Sequence, residues 1–490
     1  VNAAAPDSTV TASFRDPGGR VFAFDGRIYR LIHASGAADF AAYLDSKAAR
    51  RAVESGHIVT TRVLDATEAA ALRQEAGIGD TPESQIVEHQ RIPFASFPYE
   101  WPPEMLHAAG ILTVDLAREL LAEGLGLKDG TPYNVLFRGA EPVFVDVLSI
   151  ERRRPGNSTW LPYAQFVRTF LLPLLASGRF GVPLDQIFLS RRDGLEPEEV
   201  YRWLGRFERL RPPFLPLVSM PVWLGSRHKP DDASIYRKTD SQNAEKARFV
   251  LEMLLKRLRR SLDRLAPAAG RRSAWSGYMT SNNNYAAEQF AAKSEFVEGV
   301  MKEFRPRRVL DAGCNTGYFG ALAARCGASV VAIDYDPAVV GEVWRQARKE
   351  KLDILPLTVN LTRPSPGTGW RNQECPSFLD RAAGQFDAVF MLAVIHHMQV
   401  TERVPLPDIL DLAAQLTTKW LVIEFIAPED SMFRRLTRGR EGLHADLNVG
   451  VFEAACAARY EIVRKQHAEG SHRWLYLLRL KSPKARGPVS

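Results

Sequence analysis

The sequence predicts an α/β protein: a doubly wound, seven-stranded sheet in the C-terminal part, preceded by an α+β region of different character. Three observations predict it. Between about residues 276 and 482, five β-rich runs alternate with helical patterns, the order that buries a mostly parallel sheet between layers of helices. Two further β runs follow close together, as an antiparallel end requires. Before residue 276, hairpin signals and helical stretches mix without that alternation.

In chain order, residues 1–15 read as a polar tail without the basic start and apolar core of a signal peptide. Residues 16–215 form the expected α+β domain. There, residues 21–24 and 28–32 flank Asp25-Gly26, a frequent hairpin turn pair. Residues 37–55 have helical composition, and residues 112–124 carry apolar side chains at helical spacing up to a glycine. Residues 134–137 and 142–146 form a second expected hairpin around the turn at 138–141. Residues 216–275 are expected to be a basic helical connector. From Lys246 to Arg272 there are nine Lys or Arg against two acids, with an apolar stripe at 250, 251, 254, 255, 258, 262 and 265. Such a basic face is expected to be solvated. In the domain at 276–482, strands are expected at 308–312, 329–334, 354–360, 386–392, 420–426, 460–466 and 474–481. Residues 483–490 read as a disordered tail.

Composition excludes several classes. Apolar residues make up 46% and charged residues 25%, which is ordinary for a globular chain and wrong for a rod or a disordered polymer. Four cysteines, all after residue 313, cannot make a disulfide framework, and their spacing is not that of zinc ligands; no metal site is expected. No run of apolar residues is long enough to span a bilayer. A reduced, cytoplasmic setting is the expectation. Lys and Arg exceed Asp and Glu by 64 to 57, which permits an acidic partner without demanding one.

The strongest chemical signal is the turn after the first expected strand, Asp311-Ala312-Gly313-Cys314-Asn315-Thr316-Gly317. Gly313 and Gly317 allow a ligand close to the backbone. The following helix offers free N–H groups. Asp311 suits a cationic amino group and would repel a pyrophosphate. The next strand ends in Asp334, where a carboxylate can accept both hydroxyl hydrogens of a ribose.

Together these features resemble the class I S-adenosylmethionine-dependent methyltransferases, whose turn reads D/E-x-G-x-G-x-G, with an acid after the second strand. Asn315 replaces the middle glycine, and asparagine tolerates left-handed backbone angles. The resemblance implies a Rossmann-like sheet and S-adenosylmethionine as cofactor. It implies that Asp311 and Gly313 line the methionine part, with Asn315 and Gly317 in the same turn. It places Asp334 on the ribose, and Asn360 and Leu361 at the adenine. Tyr285 and Lys293, in the lead-in to the sheet, would reach the cofactor carboxylate. His396 and His397 follow the fourth strand, where a base would assist a hydroxyl acceptor, since imidazole titrates near neutrality. Glu424, in the fifth strand, would orient a histidine or bind the acceptor. The strings LPLTVNLTRPSPGTGW, LAVIHHM and LVIEFIAPEDSMF further resemble a bacterial group that includes nodulation-protein NoeA-like sequences. The expected acceptor is a glycan or small molecule methylated on oxygen or nitrogen. Nucleic acid ranks low, because no N-P-P-[YF] string accompanies the fourth strand.

Residues 15–215 resemble kinase-like phosphotransferases through Asp129, Asn134 five residues on, and Asp146 twelve further. The resemblance implies one Asp accepting a hydroxyl proton, with Asn134 and Asp146 holding magnesium beside ATP. Val147-Leu148 stands where that family has Phe-Gly, and Arg30 stands where a strand lysine is sought. A degenerate domain and a bifunctional kinase–methyltransferase are both readings this leaves open, as is a scaffold with a vestigial cofactor site.

Overall fold

A computed structural model describes residues 10–11, 16–78, 85–225, 243–270, 287–439, 441–444 and 446–481. The expected tails at 1–9, 12–15 and 483–490, and the lead-in around Tyr285, lie outside these residues. The chain divides into two compact units. One comprises residues 1–267 together with Thr368–Cys375; the other comprises Ala268–Gly367 and Pro376–Ser490.

The first unit is built on a five-stranded antiparallel sheet in the order β1-β2-β3-β5-β4: β1 (Val10–Thr11), β2 (Gly19–Phe24), β3 (Arg27–Ile32), β4 (Thr61–Val63) and β5 (Gln85–His89). Asp25 and Gly26 join β2 to β3 with φ of 44° and 70°, the paired left-handed angles that match strand twist in a two-residue hairpin. One face of the sheet packs Phe22, Tyr29, Leu31, Leu72 and Ile86 together. The helical stretch after β3 is two helices, Ala34–Asp45 and Lys47–Glu54. They part at Ser46, whose hydroxyl caps the second by accepting from the Ala49 N–H at 3.0 Å.

Past this sheet, the helix Pro103–Leu121 is buried along most of its length. It is followed by β6 (Leu125–Leu127), β7 (Val135–Arg138), β8 (Glu141–Phe144) and β9 (Ile150–Arg152), pairing as β6–β9 and as the expected β7–β8 hairpin. The basic segment forms a helix, Ala244–Arg264, capped by the Asn243 side chain on the Lys246 N–H at 3.0 Å. Its apolar stripe buries Leu251, Leu255, Leu258 and Leu262. Leu262 sits where a Cβ on Gly110 would be 3.1 Å away, and its carbonyl meets the His107 ring at 3.0 Å. The stripe is therefore packed against the Pro103–Leu121 helix within one unit. Val250, part of the expected stripe, is 45% exposed.

The second unit carries the seven-stranded sheet. Its strands are β10 (Arg308–Ala312), β11 (Ser329–Asp334), β12 (Ile354–Thr358), β13 (Phe386–Met391), β14 (Thr417–Ile426), β15 (Tyr460–His467) and β16 (Arg473–Leu480). The order is β12-β11-β10-β13-β14-β16-β15, parallel through β14 and antiparallel in β16 and β15. Residues such as Val309, Leu310, Ala332, Val389, Leu421 and Val422 are buried, as both-face coverage of a parallel sheet requires. Strand direction reverses its spatial progression between β10 and β13. In open α/β sheets the ligand crevice forms beyond the strand ends at such a point.

Candidate functional site

The crevice at the ends of β10, β11 and β13 is shaped first by backbone. Gly313 has φ 73° and Gly317 has φ 79°. A Cβ on Gly313 would stand 2.8 Å from Val394 Cγ2, and one on Gly317 2.9 Å from Val343 Cγ2, so both positions require glycine for angle and for space. Asn315 adopts φ 48°, the left-handed conformation the sequence asked of it. Its side-chain oxygen accepts from the Thr316 N–H at 2.8 Å.

Asp334 closes β11 with its carboxylate turned back to this turn. It accepts from the Asn315 N–H at 3.0 Å and from the Asp336 N–H at 3.1 Å. Burial nevertheless pushes it up to about 6. Asp311 is 3% exposed, and its Oδ2 has no hydrogen-bond partner among the described residues. Burial raises it to about 7, against the Gly320 N–H and the pull of the Lys293 ammonium. Each carboxylate thus has unused acceptor capacity in a poorly solvated place, which is how a site for donors or a cation is built. Asn360, past β12, uses its side-chain oxygen on the Thr362 N–H (3.0 Å) and hydroxyl (2.6 Å), which leaves its NH2 as the outward donor; Leu361 beside it is buried.

After β13 the chain turns at Ala393, φ 56°, into the short helix Ile395–Val400. His396 is 1% exposed, and neither ring nitrogen has a hydrogen-bond partner among the described residues. Its ring lies 4.1 Å from that of His397, centroid to centroid. Burial drives His396 well below the ordinary imidazole range, with the charges of Arg473 and Lys293 adding to it; burial lowers His397 to about 4. The expectation of titration near neutrality is therefore corrected: both rings are neutral at pH 7, because a second positive charge in this dry, already cationic place is too costly.

Lys293 and Glu424 meet each other. Lys293 Nζ donates to Glu424 Oε2 at 2.7 Å, with both side chains almost fully buried, and the ammonium also lies 5.0 Å from the Phe319 ring centre. Burial lowers the Lys293 pKa while Glu424 pulls it back up. Arg473 on β16 stands 3.8 Å from Glu424 Oε1 and binds Asp430 through Nε at 2.8 Å and Nη2 at 3.2 Å. Asp430 in turn caps the helix Ser431–Thr437. Sequence reasoning missed Arg473 and Asp430. One signal was available: an arginine opening the run RWLYLL, apolar after it, needs a buried acid.

In the first unit, Asp129, Asn134 and Asp146 fall on the loops around β6 to β9. Asp129 is raised by burial and by the charge of Asp146. Asn134 Nδ2 is buried without a partner among the described residues. Arg30, from β3, donates to Asp146 Oδ1 at 2.6 Å. That guanidinium already satisfies the carboxylate expected to hold magnesium. Among the described residues, no group of three or more His, Cys, Asp or Glu side chains is arranged to hold a metal ion, and no helix is long and apolar enough to cross a membrane.

Comparison with known proteins adds the following. A family model described as a methyltransferase domain matches residues 253–452. The nodulation protein NoeA of Rhizobium meliloti (strain 1021) is 30% identical over 476 residues, covering 97% of each chain. Among solved structures, the chain is similar to the N-methyltransferase NodS from Bradyrhizobium japonicum WM9 in complex with S-adenosyl-L-homocysteine (13% identity, 41% of this chain and 92% of that one, TM-score 0.31). It is also similar to the bifunctional kinase-methyltransferase WbdD (17% identity, 41% of each chain, TM-score 0.30).

Proposed function

This chain belongs to the family of the nodulation protein NoeA and is an S-adenosylmethionine-dependent methyltransferase, and we propose that its second unit transfers the methyl group to an oxygen or nitrogen of a glycan or small-molecule acceptor. The observation that carries this reading is the crevice itself: two required glycines, Asp334 held by two backbone N–H groups, the orphaned Asp311 Oδ2, and an unpartnered buried imidazole alongside.

The residues fit the cofactor. Asp334 has lone pairs left for two ribose hydroxyls, and Asp311 offers a buried acceptor for an ammonium. The Asn360 NH2 would serve the adenine, with Leu361 against its face. Lys293 is held by Glu424, so its proposed part is to fix the electrostatics of the methionine end; a direct bond to the carboxylate would need that ion pair to open. When bound, the cofactor supplies a methyl group already activated by a sulfonium, so no metal is called for.

His396 then has two tasks. It fills the acceptor side of the crevice with a neutral ring, which keeps water out without adding charge. It also accepts a hydrogen bond from the acceptor's hydroxyl or amine, which aims the lone pair at the methyl carbon as the carbon–sulfur bond breaks; the proton leaves to solvent after transfer. Glu424, Lys293, Arg473 and Asp430 form an alternating chain of charges that fixes the floor beneath that ring.

The test is methyl transfer from labelled cofactor together with calorimetry on His396→Ala. Turnover should fall about 100-fold, the usual loss when an aligning contact is removed, with S-adenosylhomocysteine affinity held within about threefold. Unchanged turnover would remove His396 from the mechanism. The phosphotransfer alternative is not favoured, because Arg30 neutralises Asp146.

A further inference from the structure

We propose that a cavity beside the His396 helix receives the hydrocarbon part of the methyl acceptor, which makes the acceptor an uncharged amphiphile: an aliphatic chain joined to a hydroxyl-bearing head. The proposal deepens the methyltransferase reading and rests on it. The cavity has a volume of about 450 Å³ and lies wholly within the second unit. That volume is in the range of small-molecule sites. Its walls are mainly apolar, from Val404, Leu406, Leu436, Leu447 and Val451. Val451 is 46% exposed although it lines this hollow, so apolar surface is left uncovered at a concave place.

The second observation is Gln399. The residue lines the cavity and is only 8% exposed. An amide at the wall of a mainly apolar hollow can both donate to and accept from a ligand's polar group. Gln399 follows His396 by three residues on the helix Ile395–Val400, so the two side chains share one face, one turn apart. The path from the imidazole to the apolar hollow therefore runs along a single helical turn. A head group holding its reactive hydroxyl at His396 and a second hydroxyl at Gln399 would extend its chain into the hollow.

The chemistry argues for an uncharged head. Gln399 and Thr437, the buried polar residues that line the cavity, carry no charge, so neither compensates a buried ion. Arg403, His444 and Asp446 also line the cavity, but both signs of charge are present there and Arg403 and Asp446 are exposed to solvent.

The test uses n-alkyl β-glucosides from hexyl to decyl, below their micelle concentrations, titrated into the full chain saturated with S-adenosylhomocysteine. Affinity should rise up to about three- to fourfold for each added methylene, the value for full burial of one CH2. Val451→Trp and Leu447→Trp, each of which fills the hollow, should abolish that increment. Gln399→Leu should weaken every member of the series by a similar factor, about three- to tenfold, and leave the increment intact. S-adenosylhomocysteine affinity, measured separately in each variant, should not change. Affinity independent of chain length, or equal in both tryptophan variants, overturns the proposal while cofactor binding persists. Loss of cofactor binding in the unaltered chain would instead overturn the reading on which it rests.

Discussion

Asp146 and Asp334 each stand at or just past the end of a β strand, one in each unit, and their surroundings differ in one respect. Asp146 meets a guanidinium at 2.6 Å. Asp334 meets only backbone N–H groups, and no Lys, Arg or His ion pair reaches it among the described residues. The first carboxylate is satisfied by the fold. The second is oriented by the fold and left with acceptor capacity to spare, at a cost visible in its raised pKa of about 6. An acid at a strand end is thus no signature of a ligand site. The absence of a cation beside it is the more telling feature.

Four experiments break or sharpen this contrast. Asp334→Ala has the largest expected effect. Two charge-assisted hydrogen bonds at about 1.5–3 kcal/mol each correspond to a loss of S-adenosylmethionine affinity of two to three orders of magnitude or more, read by calorimetry, with the far-ultraviolet dichroism unchanged. The equivalent change at the other carboxylate should leave cofactor affinity alone.

Arg30→Met comes next and should act on stability instead. It leaves Asp146 without its partner in a half-buried place. Fully buried pairs lose about 3–5 kcal/mol on such a change, and partial exposure of Asp146 reduces this to about 2 kcal/mol in a denaturant titration. Arg30→Met with Asp146→Asn should recover most of it. An unaltered midpoint in the single variant would mean the pair is incidental.

The third effect is of pH. On the proposed reading Asp311 and Asp334 act ionised, toward an ammonium and two hydroxyls, and their values lie near 7 and 6. Cofactor affinity should therefore fall as pH drops below about 7, by up to about tenfold per unit for each proton taken up. The sign for the free protein is opposite. A carboxylate whose folded value is raised binds its proton more tightly in the fold, so by this group alone stability rises as pH falls from about 6 toward 4. His396 and His397 stay neutral between about pH 7 and 5, so there the acid limb should appear in cofactor KM and not in kcat. Asp334→Asn should flatten its lower part.

The smallest effect is at Asn315→Gly. Relief of a left-handed φ on a non-glycine residue is worth less than about 1 kcal/mol, set against the lost hydrogen bond to Thr316. Thermal melting should move by only a few degrees.

What the sequence made legible was whatever is written locally. The turn from Asp311 to Gly317, the acid closing β11 and the alternation of strands each need only neighbouring residues to be recognised. The strand ends moved by a few residues: β14 begins at Thr417 and β12 stops at Thr358. Pairings between distant residues were not legible. Lys293 and Glu424 were both singled out, yet as separate actors, because nothing in either neighbourhood says which of many opposite charges, 131 residues away, it will meet. Arg30 and Asp146 are 116 residues apart and posed the same problem. Burial was the other blind spot. The imidazoles were recognised, but their loss of basicity comes from burial and, for His396, also from charges such as Arg473 that come near it only in the folded sheet.

Val394 occupies the space that any side chain at position 313 would claim. The turn at Gly313 and the loop bearing the imidazoles are consequently a key and its notch, cut to one another across eighty residues of intervening chain. A graft of either piece into another scaffold carries only half of that fit. A bulkier residue in place of the glycine would displace the paired rings before it touched any bound molecule, so loss of turnover at that position would not by itself report on the nucleoside.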